Sequence, residues 1–545
     1  MAHRLAIAIS GAVSLGCFEA GILYEVLRAI GEHNRLAREE DARIFVDVLT
    51  GASAGAMTAA LAARYLLHEP SSLELPHDNP LYEAWVKRAD IGRLLPPSSD
   101  PDRRSLLSSD AVAEIAGTLL TGPVVGVGVP HRAVDASERR LRLGFTLADV
   151  NGRSETLPSW ERRPMVTYAD HGDAVAFDLG MIPSPEQWAF IAQAARAAGA
   201  FPLAFRPLEL ERGTPLEMDL GGYPEPVTRL YTDGGTFDNQ ALALGRKLVS
   251  RRGYDDADRR YYLYISPLAA EERSEPLDGK SATLGVFLPR LFQAILEQAR
   301  LEPWRRTQRI NERVVAYDGW EAALRKLSPE ALLALQPAVH TLLEVLKPGA
   351  TAPERLREAR RRMSAAFRRE VKEIPESVLD PYLDALILLE RASGLEDFET
   401  MRIFGITAVP EELVSDRLGS FLGFFEEGYR RHDYELGRQK ARRWLLARTE
   451  PGALLPIERD AISSPKPQVA ALKLPSKVTE LSRFDQFRQS LAGRLGRMTS
   501  TVAGPIQPIS RIFARWAGGH AVASLAASLY RRPERRAASS TSGRG

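Results

Sequence analysis

The stretch Phe45-Val-Asp-Val-Leu-Thr-Gly-Ala-Ser-Ala-Gly-Ala-Met-Thr-Ala-Ala60 places a serine between two glycines, where one sequence pattern gives way to another. Residues 44–49 are rich in β-branched or large apolar side chains, which is typical of a buried parallel strand. Residues 54–65 are rich in Ala and Leu and predict a helix. Ser53 is therefore expected at a sharp turn from strand to helix.

This Gly-x-Ser-x-Gly turn is typical of a serine nucleophile. Gly51 and Gly55 lack a Cβ atom, so strand and helix can approach closely while Ser53 exposes its hydroxyl at the end of the sheet. The N-terminus of the following helix directs amide groups and the positive end of its dipole to the same place, where an oxyanion would form. The alternative is a tight turn with a small solvated serine.

The N-terminal residues predict an earlier strand, loop and helix. Residues 5–9 are apolar, residues 11–16 form a glycine-containing loop, and residues 17–30 carry apolar side chains at helical spacing. The apolar run after Arg4 is short for a signal peptide, and Ser14 stands where a lipoprotein signal has a large apolar residue, so we interpret the run as a core strand. The loop lacks the ending of a nucleotide-binding loop, and its amides are candidates for holding an oxyanion.

A second polar motif, Asp233-Gly234-Gly235, follows a short apolar run. A carboxylate there could accept the proton of Ser53 directly. Because a carboxylate is a weak base toward an alcohol, the oxyanion site would carry much of the catalysis. An Asx-type turn is the alternative interpretation of this motif.

Between the two motifs, the pattern changes from helical to alternating. Residues 140–150 predict a strand, Asn151-Gly152 a turn, and residues 165–168 and 174–178 further strands. Residues 185–198 predict a helix.

Composition argues against a membrane span, an internal disulfide and a metal site. Hydrophobic residues make up 44% and charged residues 26% of the 545, and no run of about 20 apolar residues predicts a membrane span. The single cysteine, Cys17, excludes an internal disulfide and is consistent with a reducing compartment, so we expect a cytoplasmic location. The nine histidines lack the spacing of metal ligands, so we predict no metal site and no cofactor.

Three motifs, in this order, resemble those of the bacterial patatin-like phospholipases. Residues 11–21 are similar to the family's glycine-rich first loop, residues 51–55 to its nucleophile motif, and residues 233–235 to its catalytic aspartate motif. Supporting similarities lie in three more segments, at residues 145–152, 194–207 and 432–438. The resemblance implies a three-layer α/β/α hydrolase domain that cleaves carboxylic esters of phospholipids or other acyl lipids through an acyl-enzyme.

The resemblance also implies a role for each motif residue. Ser53 would be the nucleophile, Asp233 the base, and the backbone amides of three loop residues the oxyanion hole. These loop residues are Gly11, Ala12 and Val13, and the remaining motif glycines are Gly16, Gly51, Gly55, Gly234 and Gly235.

The first loop departs from the family pattern. The family usually has three successive glycines and an Arg or Lys before the last glycine, whereas Ala12, Val13 and Leu15 stand in these places here. Any non-proline residue supplies an N–H group, but Val13 restricts the backbone. The alternative function is therefore a catalytically weakened protein that binds lipids or acts as a scaffold.

The α/β-hydrolase fold with a Ser–acid–His triad is the other hydrolase interpretation. Its nucleophile follows several strands, whereas Ser53 follows the second predicted strand. The histidines after Asp233 are His340, His432 and His520, and none stands at the end of a predicted strand. We therefore expect a Ser–Asp dyad.

The chain length predicts more than one region, because 545 residues exceed what one core usually holds. Residues 1–275 are assigned to the catalytic domain. Residues 276–450 are assigned to a helical region that completes or caps it, and residues 451–545 to a linker and a basic, amphipathic or partly disordered tail.

The charge of the C-terminal residues suggests a partner. Residues 471–545 hold 13 Lys and Arg against 3 Asp and Glu, which makes this tail a candidate for peripheral contact with the anionic inner membrane surface. Packing of Phe484, Phe487, Leu491 and Leu495 onto the protein is the alternative. No motif predicts nucleic-acid binding, and the oligomeric state stays open.

Overall fold

The chain is a mixed α/β protein, and the computed structural model describes residues 2–267 and 319–499 with short gaps. The gaps are residues 69, 97–103, 124–129, 138–139, 159–163, 181, 240, 251–258, 367–373, 394–401, 410, 417–419 and 473, and residues 291, 294, 312–313 and 316 are also described.

A central mixed sheet contains the described strands. They are β1 (His3–Ile9), β2 (Ile44–Gly51), β3 (Leu141–Pro158), β4 (Pro164–Leu179), β5 (Leu208–Arg212), β6 (Val227–Asp233), β7 (Arg260–Ile265) and β8 (Ile403–Ile406). Their order is β5–β6–β3–β2–β1–β7–β8, with β4 paired to β3. The pairs β3–β2, β2–β1, β1–β7 and β7–β8 are parallel. Strands β4 and β6 pair antiparallel with β3, and β5 pairs antiparallel with β6.

The α-helices in the described part of the chain lie between these strands or after the last of them. They are α1 (Gly16–Leu36), α2 (Ala54–His68), α3 (Pro80–Tyr82), α4 (Ile91–Leu94), α5 (Ser109–Leu120), α6 (Pro185–Ala198), α7 (Leu242–Ser250), α8 (Pro329–Leu346), α9 (Pro353–Ala366), α10 (Leu379–Ser393), α11 (Glu427–Leu446) and α12 (Phe484–Thr499). No helix in the described part of the chain is both long and apolar enough to cross a bilayer.

Side chains of the sheet pack on both of its faces. On β1, Leu5, Ile7 and Ile9 belong to the main hydrophobic cluster, which includes residues of α1, α2 and α6. Ala6 and Ala8 belong to a second cluster together with residues of α7. Successive side chains of a strand point to opposite faces, so the apolar sequence of β1 reflects burial on both sides.

The long hairpin of β3 and β4 corrects the predicted turn at Asn151-Gly152. The strand continues through these residues to Pro158, with a register irregularity between Ala148 and Arg153. Gly152 has φ +70°, so the glycine supports a bulge within a long strand instead of ending it.

Helices α1 and α11 cross in direct backbone contact, although about 400 residues separate them. A methyl group at Gly437 would lie 2.1 Å from the Phe18 carbonyl oxygen, and one at Gly21 would lie 2.1 Å from the Tyr434 carbonyl oxygen. Close to this crossing, the buried Arg438 donates to Glu25 of α1 at 3.2 Å. The two glycines therefore set how closely the N-terminal and C-terminal parts of the protein pack.

This crossing gives a stability prediction with an internal control. Gly437→Ala should destabilise the protein by about 1–3 kcal/mol or more, because the methyl group has no space. Gly428→Ala, on the same helix, meets nothing within 4 Å and should stabilise by about 0.5–1 kcal/mol through helix propensity. Thermal denaturation of both variants tests the crossing, and equal melting temperatures would contradict it.

The helical region has a hydrophobic cluster of its own, whereas the C-terminal segment contributes to the main hydrophobic cluster. Side chains of α8, α9 and α10 form a separate hydrophobic cluster. Residues between 455 and 484, by contrast, contribute to the main cluster, including Leu455, Ala461 and Phe484. Phe484 is 1% exposed and Leu491 7% exposed, so α12 packs onto the protein in the way the alternative interpretation of the tail predicts. Residues 500–545, the rest of the predicted tail, lie outside the described residues.

Candidate active site

Ser53 lies in the predicted turn between β2 and α2. Its backbone is left-handed, with φ +51°, a conformation that non-glycine residues rarely adopt. The turn is closed by hydrogen bonds from the Ala52 N–H to the Ile9 carbonyl at 3.1 Å and from the Gly55 N–H to the Ala52 carbonyl at 2.8 Å. The serine is therefore fixed by the ends of two neighbouring strands.

The glycines of this turn are required by close approach. A methyl group at Gly51 would lie 2.3 Å from the Gly55 carbonyl oxygen. A methyl group at Gly55 would lie 2.5 Å from the carbonyl oxygens of Ile9 and Ser10. Both distances are shorter than any ordinary contact, so the motif reflects backbone packing at this point.

Strand β3 brings Asp233 to Ser53 across 180 residues of sequence. Phe145 on β3 is the register partner of Gly51, and Leu147 is the register partner of Asp233. These partners are two residues apart, or about 6.7 Å along the strand. The serine turn and the aspartate at the end of β6 therefore meet on the same part of the sheet.

Ser53 and Asp233 form a direct hydrogen bond. The Ser53 hydroxyl donates to Asp233 Oδ2 at 2.5 Å, and the Gly235 N–H donates to Asp233 Oδ1 at 2.7 Å. Gly234 and Gly235 begin a short 3₁₀ turn, which turns the chain directly after the carboxylate. Ser53 and Asp233 are 6% and 2% exposed, so the dyad is shielded from bulk water.

The first loop lies beside this dyad. A methyl group at Gly11 would lie 2.9 Å from the Ser53 Cβ atom. The Gly11 N–H donates to the Asn239 carbonyl at 3.0 Å, and Asn239 Nδ2 donates to the Gly11 carbonyl at 3.2 Å. The Gly11 amide is thus engaged by Asn239, whereas the amides of Ala12 and Val13 have no hydrogen bond to another described residue.

Val13 has an unusual backbone for a β-branched residue. Its φ is +52°, which lies in the left-handed region that favours glycine, the residue that the resembling family has there. Residues Val13–Leu15 form a 3₁₀ turn that leads into α1. Gly16 permits this entry, because a methyl group there would lie 2.6 Å from the Trp85 ring.

A cavity with about 860 Å³ of atom-free space, its open mouth included, begins at Ser53. Apolar side chains from α2, α4 and α5, from the π-helical turn at Glu83–Arg88, from the 3₁₀ turn at Leu422–Phe424 and from the segment around Phe201 dominate its wall. They include Met57, Leu61, Trp85, Leu94, Val112, Ile115, Leu120, Phe201, Phe205 and Phe424. A wall of this composition fits an alkyl chain better than a sugar or a nucleotide.

One arginine of α6 also contributes to the cavity wall. Arg196 is partly buried, and its pKa is lowered because burial disfavours the charged guanidinium and because Arg206 is close. Arg206 is itself paired with Asp110 at 2.6 Å.

Other candidate nucleophiles and bases lie elsewhere. His340 pairs with Asp384 at 2.7 Å in the separate helical cluster, and His432 contacts Asp433 on α11. His520 lies outside the described residues. Burial and the nearby Asp433 raise the pKa of the Cys17 thiol, which keeps it protonated. No group of three or more metal-binding side chains occurs where the chain is described.

Sequence reasoning missed two residues that hold the first loop. Asn239 lies six residues after Asp233, and its place in the same polar stretch is a signal that could have identified it. Ser420 contacts Ser14, which donates its hydroxyl to the Ser420 carbonyl. Nothing local in the sequence predicts this contact, because 406 residues separate the pair.

Comparison with known proteins gives two distant relatives and no activity. No protein-family model matches the chain. It is 26% identical over 306 residues to the uncharacterized membrane protein Rv3479 of Mycobacterium tuberculosis, a match that covers 48% of this chain and 27% of that protein. It is 24% identical over 387 residues to the uncharacterized protein y4iI of Sinorhizobium fredii, covering 55% of this chain and 54% of that protein. The chain thus spans about a quarter and about half of these two relatives.

Proposed function

We propose that this protein is a serine acyl hydrolase of the patatin type, which cleaves carboxylic esters of phospholipids or other acyl lipids. One observation carries the proposal. Ser53 has a left-handed backbone in a strand-to-helix turn, and its hydroxyl donates to Asp233 Oδ2 at a distance of 2.5 Å. The same serine lines an apolar cavity. A structural serine in a turn requires neither the buried carboxylate nor the cavity.

The three-layer fold of the patatin type belongs to the same proposal. It is supported by the burial of alternate β1 side chains in two clusters, one with α1, α2 and α6 and one with α7. The parallel pairing of β1 with β2 and β7 also supports it, since parallel sheets carry helices on both faces.

The proposed reaction proceeds through an acyl-enzyme. Ser53 Oγ attacks the ester carbonyl carbon while its proton passes to Asp233 Oδ2, and the carbonyl oxygen becomes an oxyanion. The amides of Ala12 and Val13, together with the N-terminus of α2, stabilise this charge. The alcohol leaves with the proton from Asp233. Water then attacks the acyl-enzyme by the same route and releases the carboxylic acid and free Ser53.

The cavity supports the proposed substrate class. An acyl chain of the ester would lie among the apolar side chains that start at Met57 next to Ser53, where its burial contributes about 0.8 kcal/mol per CH₂ group. The alcohol part of the ester would point toward the mouth. We therefore expect activity to increase with acyl chain length until the cavity is filled.

A lipid-binding protein with weakened catalysis is the second candidate. The observation that favours it is the engaged Gly11 amide, which leaves fewer donors for an oxyanion than a loop of free amides. The apolar cavity would bind lipid in either case.

A fluorophosphonate probe separates the two candidates. The probe should form a covalent bond with Ser53, because its phosphonyl oxygen uses the same oxyanion donors as an ester. Mass spectrometry of the digested protein identifies the labelled peptide, and heat-denatured protein is the control. Labelling that is absent, or equal before and after denaturation, would favour the lipid-binding candidate.

A further inference from the structure

The strained conformation of Val13 must be maintained by contacts on both sides. A non-glycine residue is disfavoured in the left-handed region by about five- to thirtyfold in population, and Val13 is β-branched. On its N-terminal side, Gly11 is held by both the carbonyl and the side chain of Asn239. On its C-terminal side, the buried Ser14 donates its hydroxyl to the Ser420 carbonyl.

The partner of Ser14 belongs to a wall segment, residues 413–416 and 420–425. This segment approaches the first loop closely, since a methyl group at Gly423 would lie 2.7 Å from Ser14 Oγ. Phe424 of the same segment lines the cavity. The hydrogen bond from Ser14 to the Ser420 carbonyl therefore joins the first loop to the cavity wall.

Helix α11 fixes the wall segment with two buried charged side chains. Asp433 accepts hydrogen bonds from the N–H groups of Val414 at 3.0 Å and Ser415 at 2.9 Å. Arg430 donates to the carbonyls of Gly423 at 2.9 Å and Phe424 at 3.2 Å. Charge-assisted bonds of this kind are strong when both partners are buried, so the Ser420 carbonyl is presented by a rigid support.

We propose that Ser14 is a positioning residue, which holds Val13 in its left-handed conformation and thereby aims the loop amides at the oxyanion of the reaction. This inference rests on the proposed acyl hydrolase function. It makes the first loop of the chain depend on a segment more than 400 residues later. It also explains how the loop tolerates valine where the resembling family has glycine.

Removing the hydroxyl tests this role. Ser14→Ala should lower kcat for a nitrophenyl ester by about five- to thirtyfold, because the loop relaxes to negative φ in most molecules. KM should change less than kcat, because Val13 is one residue of the cavity wall and the large apolar side chains of the wall are unchanged. Gly423→Ala, which crowds Ser14 from the other side, should act in the same direction. Ser105→Ala is the control, because the buried Ser105 hydroxyl donates to the Leu107 carbonyl, outside the first loop.

A glycine at this position should rescue the variant. Glycine populates positive and negative φ about equally, so Val13→Gly should leave kcat near that of the unmodified protein. Adding Ser14→Ala to Val13→Gly should then lower kcat by less than about threefold. If Ser14→Ala costs as much in the Val13→Gly background as it does in the unmodified protein, the proposal is overturned and Ser14 has an ordinary packing role.

Hydrogen exchange separates this inference from the proposed function. In Ser14→Ala, the Leu15 amide, which donates to the Ala12 carbonyl at 2.9 Å within the first loop, should exchange faster than in the unmodified protein or Ser105→Ala, whether or not the protein hydrolyses esters. Unchanged exchange would refute the positioning role. Faster exchange in a protein that neither reacts with the probe nor cleaves esters would retain the role and reject the hydrolase.

Discussion

Ser53→Ala should abolish ester hydrolysis, lowering kcat for a short-chain nitrophenyl ester by at least ~10³-fold. The alanine cannot form the acyl-enzyme, and the residual rate would come only from bound water and the oxyanion donors. Ser53 is small and its hydroxyl has the Asp233 carboxylate as acceptor, so the substitution should leave the fold intact. Kinetics and thermal denaturation on the same preparation test both statements.

Ser10→Ala is the matched control for this variant. Ser10 is a buried serine at the end of β1, and its hydroxyl points to Glu19 Oε1 at 3.4 Å instead of to Asp233. Its loss should reduce activity by less than about tenfold, in line with one weak hydrogen bond. Full activity of Ser53→Ala would show that the motif is only a tight turn.

Asp233→Asn should be nearly as damaging, with kcat reduced by about 10³-fold. Asparagine has the same shape, so its Oδ1 can still accept the Gly235 N–H. Its Nδ2 then faces Ser53 Oγ, where the unmodified protein has an acceptor at 2.5 Å. An amide nitrogen donates there and cannot accept the serine proton, so the nucleophile is not activated.

The control for Asp233→Asn is Asp238→Asn, which changes a carboxylate five residues further along the chain. Asp238 Oδ1 accepts the Ala241 N–H at 3.3 Å, a contact that asparagine can preserve. Its activity should therefore stay close to that of the unmodified protein. Retained activity in Asp233→Asn, combined with loss in a histidine variant, would instead establish a triad.

Local patterns were enough to predict the serine turn and several secondary-structure elements. The apolar run of β2 and the Ala-rich start of α2 are separate signals on either side of Ser53, and both elements are present. The helix predicted for residues 185–198 is confirmed without change as α6. In each case, neighbouring residues in sequence determine the element, so a short window contains the information.

Pairing between strands that are far apart in the sequence could not be predicted from short windows. The Asn151-Gly152 pair looks like a hairpin turn, but pairing with β4 carries β3 on to Pro158. β8 at Ile403–Ile406 was not predicted, because four residues carry too little pattern and its partner β7 is about 140 residues away. The Asp233 motif left an Asx-type turn as an alternative, and the resemblance decided in favour of a pair with Ser53. The physical cause of the pairing is the register of β3 with β2 and β6.

The crossing of α1 and α11 has a consequence for how the chain is made. A ribosome adds about 5–20 residues per second, so the roughly 400 residues between Gly21 and Gly437 take on the order of 20–80 s to synthesise. During that time α1 lacks the helix that covers it, and the first loop lacks the Ser420 carbonyl. The nascent chain would therefore expose apolar surface, and the proposed oxyanion loop would lack one of its supports, until the C-terminal part emerges. Chaperones that bind apolar segments would find their longest opportunity in this interval.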